Sequence, residues 1–163
     1  MDPLTTALTI TTILENLTSL GIKLVNLFTQ GRKDKQKAEA EAARFMYGVY
    51  SEIKKNLNRI DGYPPGAFRK IAANSSECKE LAAGFSVTAM TGLLTQGFNT
   101  KVGGKDAGTL AALDKAIRFT ENFRSLTEMS DKLLAVRRKP RMELRIKHIR
   151  EQHLAAYVGL FKK

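Results

Sequence analysis

The sequence predicts an all-α fold, namely an antiparallel four-helix bundle with an additional C-terminal amphipathic helix. Apolar residues recur every three or four positions along most of the 163-residue chain, which is the period of one helix face. Proline and glycine fall between these periodic stretches, where turns are expected. Since long helices joined by short connections pack antiparallel, the pattern favours a bundle.

The first helix is predicted over residues 3–30. Asp2 is a good N-cap, Pro3 suits the first helical position, and Gly31 is placed to end the helix. A helix of about 28 residues would be about 42 Å long. Its apolar face consists of Ile10, Ile13, Leu14, Leu17, Leu20, Leu24, Leu27 and Phe28.

The second helix is predicted over about 33–60, and the run 61–66, rich in proline and glycine, ends it. The third begins near Ala67 and extends beyond Leu93. It can divide at Asn74, because Glu77 stands three residues later as in a capping box.

The fourth helix follows the glycine-containing loop 99–108 and runs to Lys139, with Leu133 among its inward positions. Pro140 is expected to end or kink it. Residues 1–140 therefore form the predicted bundle domain, and residues 141–163 form a basic amphipathic helix. Whether this last helix packs on the bundle is left open.

Charge is distributed unevenly along the chain. The net charge is +11, to which residues 31–59 contribute +4 and residues 137–163 contribute +7, whereas residues 1–30 carry −1. Such an excess favours an anionic partner, either nucleic acid or an acidic membrane surface, or is a solvated basic face. The single cysteine, Cys78, fits a reducing cytoplasm, and no secretion signal is visible.

Enzyme chemistry has little support in the sequence, and we expect no cofactor and no metal. His148 and His153 are five residues apart and so point about 140° apart around a helix. Gly103 and Gly104 hint at a phosphate loop, but Asp106 stands where a Walker motif needs Ser or Thr. Cys78 lies on the predicted buried stripe and is interpreted as a core residue.

The first helix is unusual because its polar face is almost uncharged. That face consists of Thr5, Thr9, Thr12, Asn16, Ser19, Lys23, Asn26 and Gln30. Between Pro3 and Ile22 the only charged residue is Glu15, and about twenty residues span a bilayer core. A glutamate at mid-span would cost about 2.5–3.5 kcal/mol, which disfavours a permanent transmembrane helix.

Two interpretations of this helix are open, an ordinary shielded or oligomeric surface and a segment that enters a membrane conditionally. In the second, the lipid-facing residues are Leu4, Leu8, Ile10, Ile13, Leu14, Leu17 and Leu20. The polar stripe lining an aqueous lumen consists of Thr5, Thr9, Thr12, Glu15, Asn16 and Ser19.

The start Met1-Asp-Pro-Leu-Thr5, followed by an apolar helix ending Gly21-Ile-Lys-Leu-Val25, resembles the N-terminus of fungal HeLo and HeLo-like domains. Prokaryotic Bell domains, the necroptosis pseudokinase bundle and the coiled-coil domains of plant immune receptors are similar in plan. The resemblance implies a toxic cell-death execution domain, acting in immunity or antiphage defence, that oligomerises on a signal and permeabilises a membrane through its N-terminal helix.

The predicted partners follow from this hypothesis. Anionic lipids would contact Arg32, Lys33, Lys35, Lys37, Arg137, Arg138, Lys139 and Arg141. The resemblance further implies homo-oligomers, an upstream nucleotide-binding receptor or amyloid-signalling partner, and relocation from the cytoplasm to the membrane. The alternative is a basic helical bundle that binds nucleic acid through the same residues, or an accessory scaffold.

Overall fold

The computed structural model describes residues 10–64, 66–97, 105–137 and 139–162, and this part of the chain is helical without a strand. We label the helical residues 10–15 α1. The helices that follow are α2 (Ser19–Thr29), α3 (Lys35–Asp61), α4 (Ala67–Ala73), α5 (Ser75–Ala83), α6 (Thr88–Gly97), α7 (Lys105–Thr127), α8 (Asp131–Arg137) and α9 (Lys139–Phe161). The all-α prediction is confirmed.

The C-terminal helix α9 lies at the centre of the molecule, packed against both α3 and α7. Asn56 and Asp61 of α3 contact His153 and Arg150 of α9. Because the residue numbers rise on α3 as they fall on α9, the two helices run antiparallel.

Helix α9 is also antiparallel to α7. Gly159 of α9 lies against Thr109, near the start of α7, and the ring of His148 lies 6.0 Å from that of Phe119. A Cβ atom on Gly159 would come within 2.2 Å of the Thr109 hydroxyl oxygen, so this glycine permits the close approach. The C-terminal helix is therefore docked, the point that the sequence left open.

The predicted third helix is in fact three helices, α4, α5 and α6. The break at Asn74 is confirmed, since its side chain accepts hydrogen bonds from the amides of Ser76 and Glu77. A second break, over residues 84–87, was not predicted. It forms because the Glu52 carboxylate caps the start of α6, accepting from the Ala89 and Met90 amides at 3.1 and 2.7 Å.

The predicted fourth helix is also shorter than expected, because α7 ends at Thr127. The Thr127 hydroxyl donates to the Arg124 carbonyl at 2.7 Å, and a turn leads into α8. Leu133, predicted to face inward, is 49% exposed on α8, so that prediction is wrong. Pro140 lies in the first turn of α9, where a missing amide hydrogen costs nothing.

Buried apolar side chains form two clusters along the bundle. The N-terminal cluster consists of Ile13, Leu17, Leu20, Leu24, Met46, Val49, Ile53, Leu57, Val87, Met90, Leu93, Leu94, Ala112, Leu113, Ile117, Ala156, Leu160 and Phe161. The distal cluster consists of Ile60, Ile71, Ala72, Cys78, Leu81, Ala82, Phe85, Phe123, Leu126, Met142, Ile146 and Ile149.

Buried polar residues lie between the two clusters. Asn56, Thr120 and His153 are almost completely buried. Thr120 and His153 fall in sequence between members of the two clusters, and Asn56 bonds to His153 from the part of α3 that precedes the distal cluster. Glu52 borders them on α3. We refer to Glu52, Asn56, Ser86 and His153 together as the polar layer.

Candidate functional site

The N-terminal segment, residues 10–29, packs on the bundle through the apolar face that the sequence predicts. Ile13, Leu17, Leu20 and Leu24 are buried in the N-terminal cluster. Leu14 is 36% exposed and Ile10 is half-buried, so the predicted face is narrower than expected. Among the other predicted membrane-inserting residues, Leu4 and Leu8 lie outside the described part of the chain.

The predicted polar stripe faces away from the core wherever it is described. Thr12, Glu15, Asn16 and Ser19 are all exposed, while Thr5 and Thr9 precede the described residues. Asn16 also has a local role, since its side-chain amide donates to the Thr12 carbonyl at 2.8 Å and closes the end of α1.

The prediction of one continuous helix from 3 to 30 is wrong, because the chain leaves the helical conformation at residues 16–18. Thr18 is extended, with φ −69° and ψ 172°, and its side chain caps the start of α2 by accepting from the Gly21 amide. The predicted end of the helix is confirmed. α2 stops at Thr29, and Gly31 has a φ of +74°, a left-handed conformation that favours glycine.

The break at Thr18 is held by the C-terminal end of α9. The Thr18 backbone amide donates to the Leu160 carbonyl at 3.0 Å, and the Thr18 hydroxyl donates to the Gly159 carbonyl at 2.6 Å. These carbonyls belong to the last turn of a helix, where the backbone provides no partner. Thr18 therefore caps two helices, α2 at its start and α9 at its end.

Gly21 allows this close approach. A Cβ atom at Gly21 would lie 2.7 Å from a methyl carbon of Leu17 and 3.1 Å from the Leu160 carbonyl oxygen. Sequence reasoning did not identify Thr18 or Gly21 as contact residues. The Thr-x-x-Gly spacing inside an apolar helix was the available signal, but its partner, the end of α9, lies about 140 residues away in the sequence.

The basic residues of the first charged stretch lie together at the turn between α2 and α3. Lys33, Lys35 and Lys37 are exposed. Arg32 is exposed and pairs with Glu41 at 2.7 Å. Asp34 caps α3 by accepting from the Lys37 amide. We call Arg32, Lys33, Lys35 and Lys37 the basic turn.

Two open clefts flank the basic turn. One, of about 610 Å³, is lined by Lys23, Arg32 and Lys35 together with polar residues from the end of α2. The other, of about 210 Å³, is lined by Arg32, Lys33 and Lys37. Lys23 pairs with Asp106 of α7 at 2.6 Å, a bond that joins α2 to the bundle.

The second predicted basic group is described only in part. Arg141 is exposed on α9. Arg138 lies outside the described residues, as do the side chains of Arg137 and Lys139. The structure therefore does not bring the two basic groups onto one described surface.

Hydrogen bonds join the four residues of the polar layer, of which Ser86 is exposed and the other three are buried. Asn56 accepts from the Ser86 amide at 3.1 Å and donates to the Ser86 carbonyl at 2.7 Å, while its amide nitrogen lies 2.9 Å from His153 Nε2. Ser86 donates its hydroxyl to Glu52 at 2.6 Å. Because this carboxylate also caps α6, the bonds of the layer connect α3 with both α6 and α9.

Burial lowers the pKa of His153, and the hydrogen bond to Ile149 and the field of Glu52 oppose this shift only in part. Nδ1 lies 2.8 Å from the Ile149 carbonyl oxygen, which can only accept. Nδ1 therefore carries the hydrogen, and Nε2 accepts from Asn56.

The residues that the sequence analysis considered for catalysis, phosphate binding or metal binding do not come together in one described site. Cys78 is buried and its thiol donates to the Ile71 carbonyl at 3.1 Å, as expected of a core residue. Asp106 is paired with Lys23, whereas Gly103 and Gly104 lie outside the described residues. Within the described ranges no three His, Cys, Asp or Glu side chains come together as metal ligands.

Comparison with known proteins gives no match to a protein-family model, to a curated protein or to a solved structure. Among the described residues, every helix is too short or too polar to cross a membrane.

Proposed function

We propose that this protein is a cell-death execution domain that oligomerises on a signal and permeabilises anionic membranes through its N-terminal segment, without catalysis. The observation that carries the proposal is the attachment of that segment. An almost uncharged stretch is held by one apolar face and a few polar bonds, and it leads directly into the basic turn.

The first step is attraction to the membrane surface. Lys33, Lys35 and Lys37 are exposed at one end of the molecule, next to the segment that would enter the bilayer. Each basic residue near an anionic surface contributes about 1 kcal/mol. The predicted second group, Arg137, Arg138, Lys139 and Arg141, would add to this attraction.

The second step is release of the N-terminal segment from the bundle. The break at Thr18 depends on hydrogen bonds to the end of α9. Once those bonds are lost, the amide of Thr18 can return to an intrahelical partner. The released segment would then form the continuous helix that the sequence predicts, about 42 Å long.

The third step is assembly of a pore from several such helices. Leu4, Leu8, Ile10, Ile13, Leu14, Leu17 and Leu20 would face lipid, and the stripe of Thr5, Thr9, Thr12, Glu15, Asn16 and Ser19 would line the lumen. Facing water inside an oligomer would spare Glu15 the cost of burial in lipid.

The resemblance to HeLo and Bell domains supports the same proposal. The proposal includes the antiparallel four-helix bundle with its C-terminal helix, a homo-oligomeric active form, and relocation from the cytoplasm to the membrane. The upstream partner would be a nucleotide-binding receptor or an amyloid-signalling protein.

Dye release from vesicles tests the proposal. The chain is fused at its C-terminus to an inducible oligomerising domain and added to phosphatidylcholine vesicles with and without phosphatidylserine. We expect leakage from the anionic vesicles after induction. No leakage on induction would overturn the proposal. Salt-sensitive binding of duplex DNA without leakage would instead support the nucleic-acid alternative.

A matched pair of triple variants tests the basic turn. K33Q/K35Q/K37Q removes three charges from the turn, and K55Q/K79Q/K115Q removes three exposed charges elsewhere, from the C-terminal part of α3, from α5 and from α7. At about 1 kcal/mol per charge, the first variant should lose roughly 100-fold in vesicle affinity. Equal losses in both variants would show that only net charge matters.

Ion selectivity tests the lumen directly. Glu15 and Glu121 are both exposed, on α1 and α7, so reversing either charge should leave the bundle folded. Charged rings in a pore set its preference for cations or anions. Glu15→Lys should therefore shift the reversal potential of planar-bilayer currents toward anions, and Glu121→Lys should not. Unchanged selectivity in Glu15→Lys would remove Glu15 from the lumen.

A further inference from the structure

The polar layer contains a histidine whose surroundings accommodate only its neutral form. Nδ1 donates to Ile149, and Nε2 faces the amide nitrogen of Asn56 at 2.9 Å. A proton on Nε2 would therefore point at another donor. The neutral imidazole satisfies both contacts, whereas the imidazolium leaves one of them unmade.

Rotation of the Asn56 amide cannot relieve this conflict. Its oxygen accepts from the Ser86 amide and its nitrogen donates to the Ser86 carbonyl. Turning the amide over would offer oxygen to His153, but it would set nitrogen against the Ser86 N–H and oxygen against the Ser86 carbonyl. Two hydrogen bonds would be lost for one gained.

The charged and polar groups around His153 do not rescue the imidazolium. On α3 the facing charge is Glu52, whose carboxylate already accepts from the Ser86 hydroxyl and from the Ala89 and Met90 amides. Helix α6 contains no ionisable residue. On α7 the buried polar residues are Thr120 and Thr127, and each donates its hydroxyl to a carbonyl of its own helix.

We propose that the polar layer is an acid-sensitive latch, in which protonation of His153 at Nε2 breaks its hydrogen bond with Asn56 and loosens α9 from α3. The end of α9 also holds Thr18, so an open latch weakens the attachment of the N-terminal segment. The latch is a property of the bundle and does not depend on pore formation.

The two histidines of the chain allow a clean titration, because His148 is a control on the same helix. We would record nuclear magnetic resonance spectra of both imidazoles in the wild-type protein. The latch requires His153 to be the Nδ1–H tautomer and to titrate below the unfolded value of about 6.5. An Nε2–H tautomer, or titration at or above that value, would overturn it.

Denaturation by urea between pH 8 and pH 5 measures the consequence. Below about pH 6.5 the unfolded chain binds the proton and folded His153 does not, so the folded-to-unfolded ratio falls by up to about tenfold per pH unit. His148→Gln should keep this loss, and His153→Gln should remove it. Equal pH dependence in wild type and His153→Gln would contradict the latch.

Amide hydrogen exchange shows which residues lose protection when the latch opens. At pH 5 the amides of residues 150–160 should exchange faster in wild type than in His153→Gln, with those of α5 unchanged. Faster exchange throughout the chain would show general unfolding and contradict a latch. If His153→Gln does not fold, the wild-type titration decides alone. Vesicle leakage plays no part in these measurements, so the latch and the proposed function can fail separately.

Discussion

The two halves of the bundle lie on either side of the polar layer, and different interactions hold their helices together. In the distal half, Arg59 lies across the end of α5 and donates to the carbonyls of Glu80 and Leu81. Arg124 donates to the Phe85 carbonyl at 2.6 Å. These arginines tie α3 and α7 to the α5–α6 connection through charge-assisted bonds to the backbone.

In the N-terminal half, the described part of the N-terminal segment is not held by arginine bonds of this kind. That segment is fixed by an apolar face, by Thr18 at the end of α9, and by the Lys23–Asp106 pair, whose lysine is 58% exposed. From this difference we predict that the N-terminal segment detaches more readily than the distal half unfolds.

We expect the largest loss of stability from a pair of core truncations. Leu20 and Leu81 are both buried, the first in the N-terminal cluster and the second in the distal cluster. Each change to alanine should lower the free energy of unfolding by about 2–5 kcal/mol, measured by urea denaturation. Only Leu20→Ala should also speed amide exchange locally in α2. Equally fast amide exchange in α2 of Leu81→Ala would contradict the difference between the two halves.

Removal of the Thr18 hydroxyl should have an intermediate effect. Thr18→Val keeps the side-chain shape but loses the cap of α2 and the bond to the Gly159 carbonyl. We expect a loss of about 1–2 kcal/mol in thermal or urea unfolding, and faster vesicle leakage. Thr18→Ser keeps the hydroxyl and serves as the control. Equal behaviour of the two variants would remove Thr18 from the attachment.

The smallest effect is expected at two ion pairs. Lys23–Asp106 ties α2 to α7, and Arg150–Asp61 ties α9 to α3, each at 2.6 Å with partly exposed partners. Lys23→Met and Arg150→Met should each cost less than about 1 kcal/mol of stability. Only Lys23→Met should advance the onset of leakage. An earlier onset in Arg150→Met would show that release is not confined to α2.

The sequence predicted the fold class and the buried faces because both follow from local periodicity. The second helix was predicted over 33–60 and runs from Lys35 to Asp61. The breaks at Thr18 and Ser86 could not be predicted, because their partners are far away in the chain. The Thr18 amide and hydroxyl donate to the Leu160 and Gly159 carbonyls, and the Ser86 amide donates to the Asn56 side chain. Such tertiary hydrogen bonds override a helical pattern that is locally sound.

In the candidate site, too, the features with a local sequence signal were predicted and those that depend on tertiary contacts were not. The basic turn was identified from a run of charges, which any turn would expose. The polar layer was missed because Asn56 and His153 fall within apolar helical patterns, and only the packing of α3 on α9 brings them within 2.9 Å.

Hydrogen–deuterium exchange on anionic vesicles tests the central claim, that the N-terminal segment leaves a bundle whose distal half stays folded. After induced oligomerisation, amides of α2 and of the last turn of α9 should change their exchange rates. Those of α5 and of residues 120–127 should keep theirs. Leakage accompanied by loss of protection in both halves, or with α2 unchanged, would contradict the account.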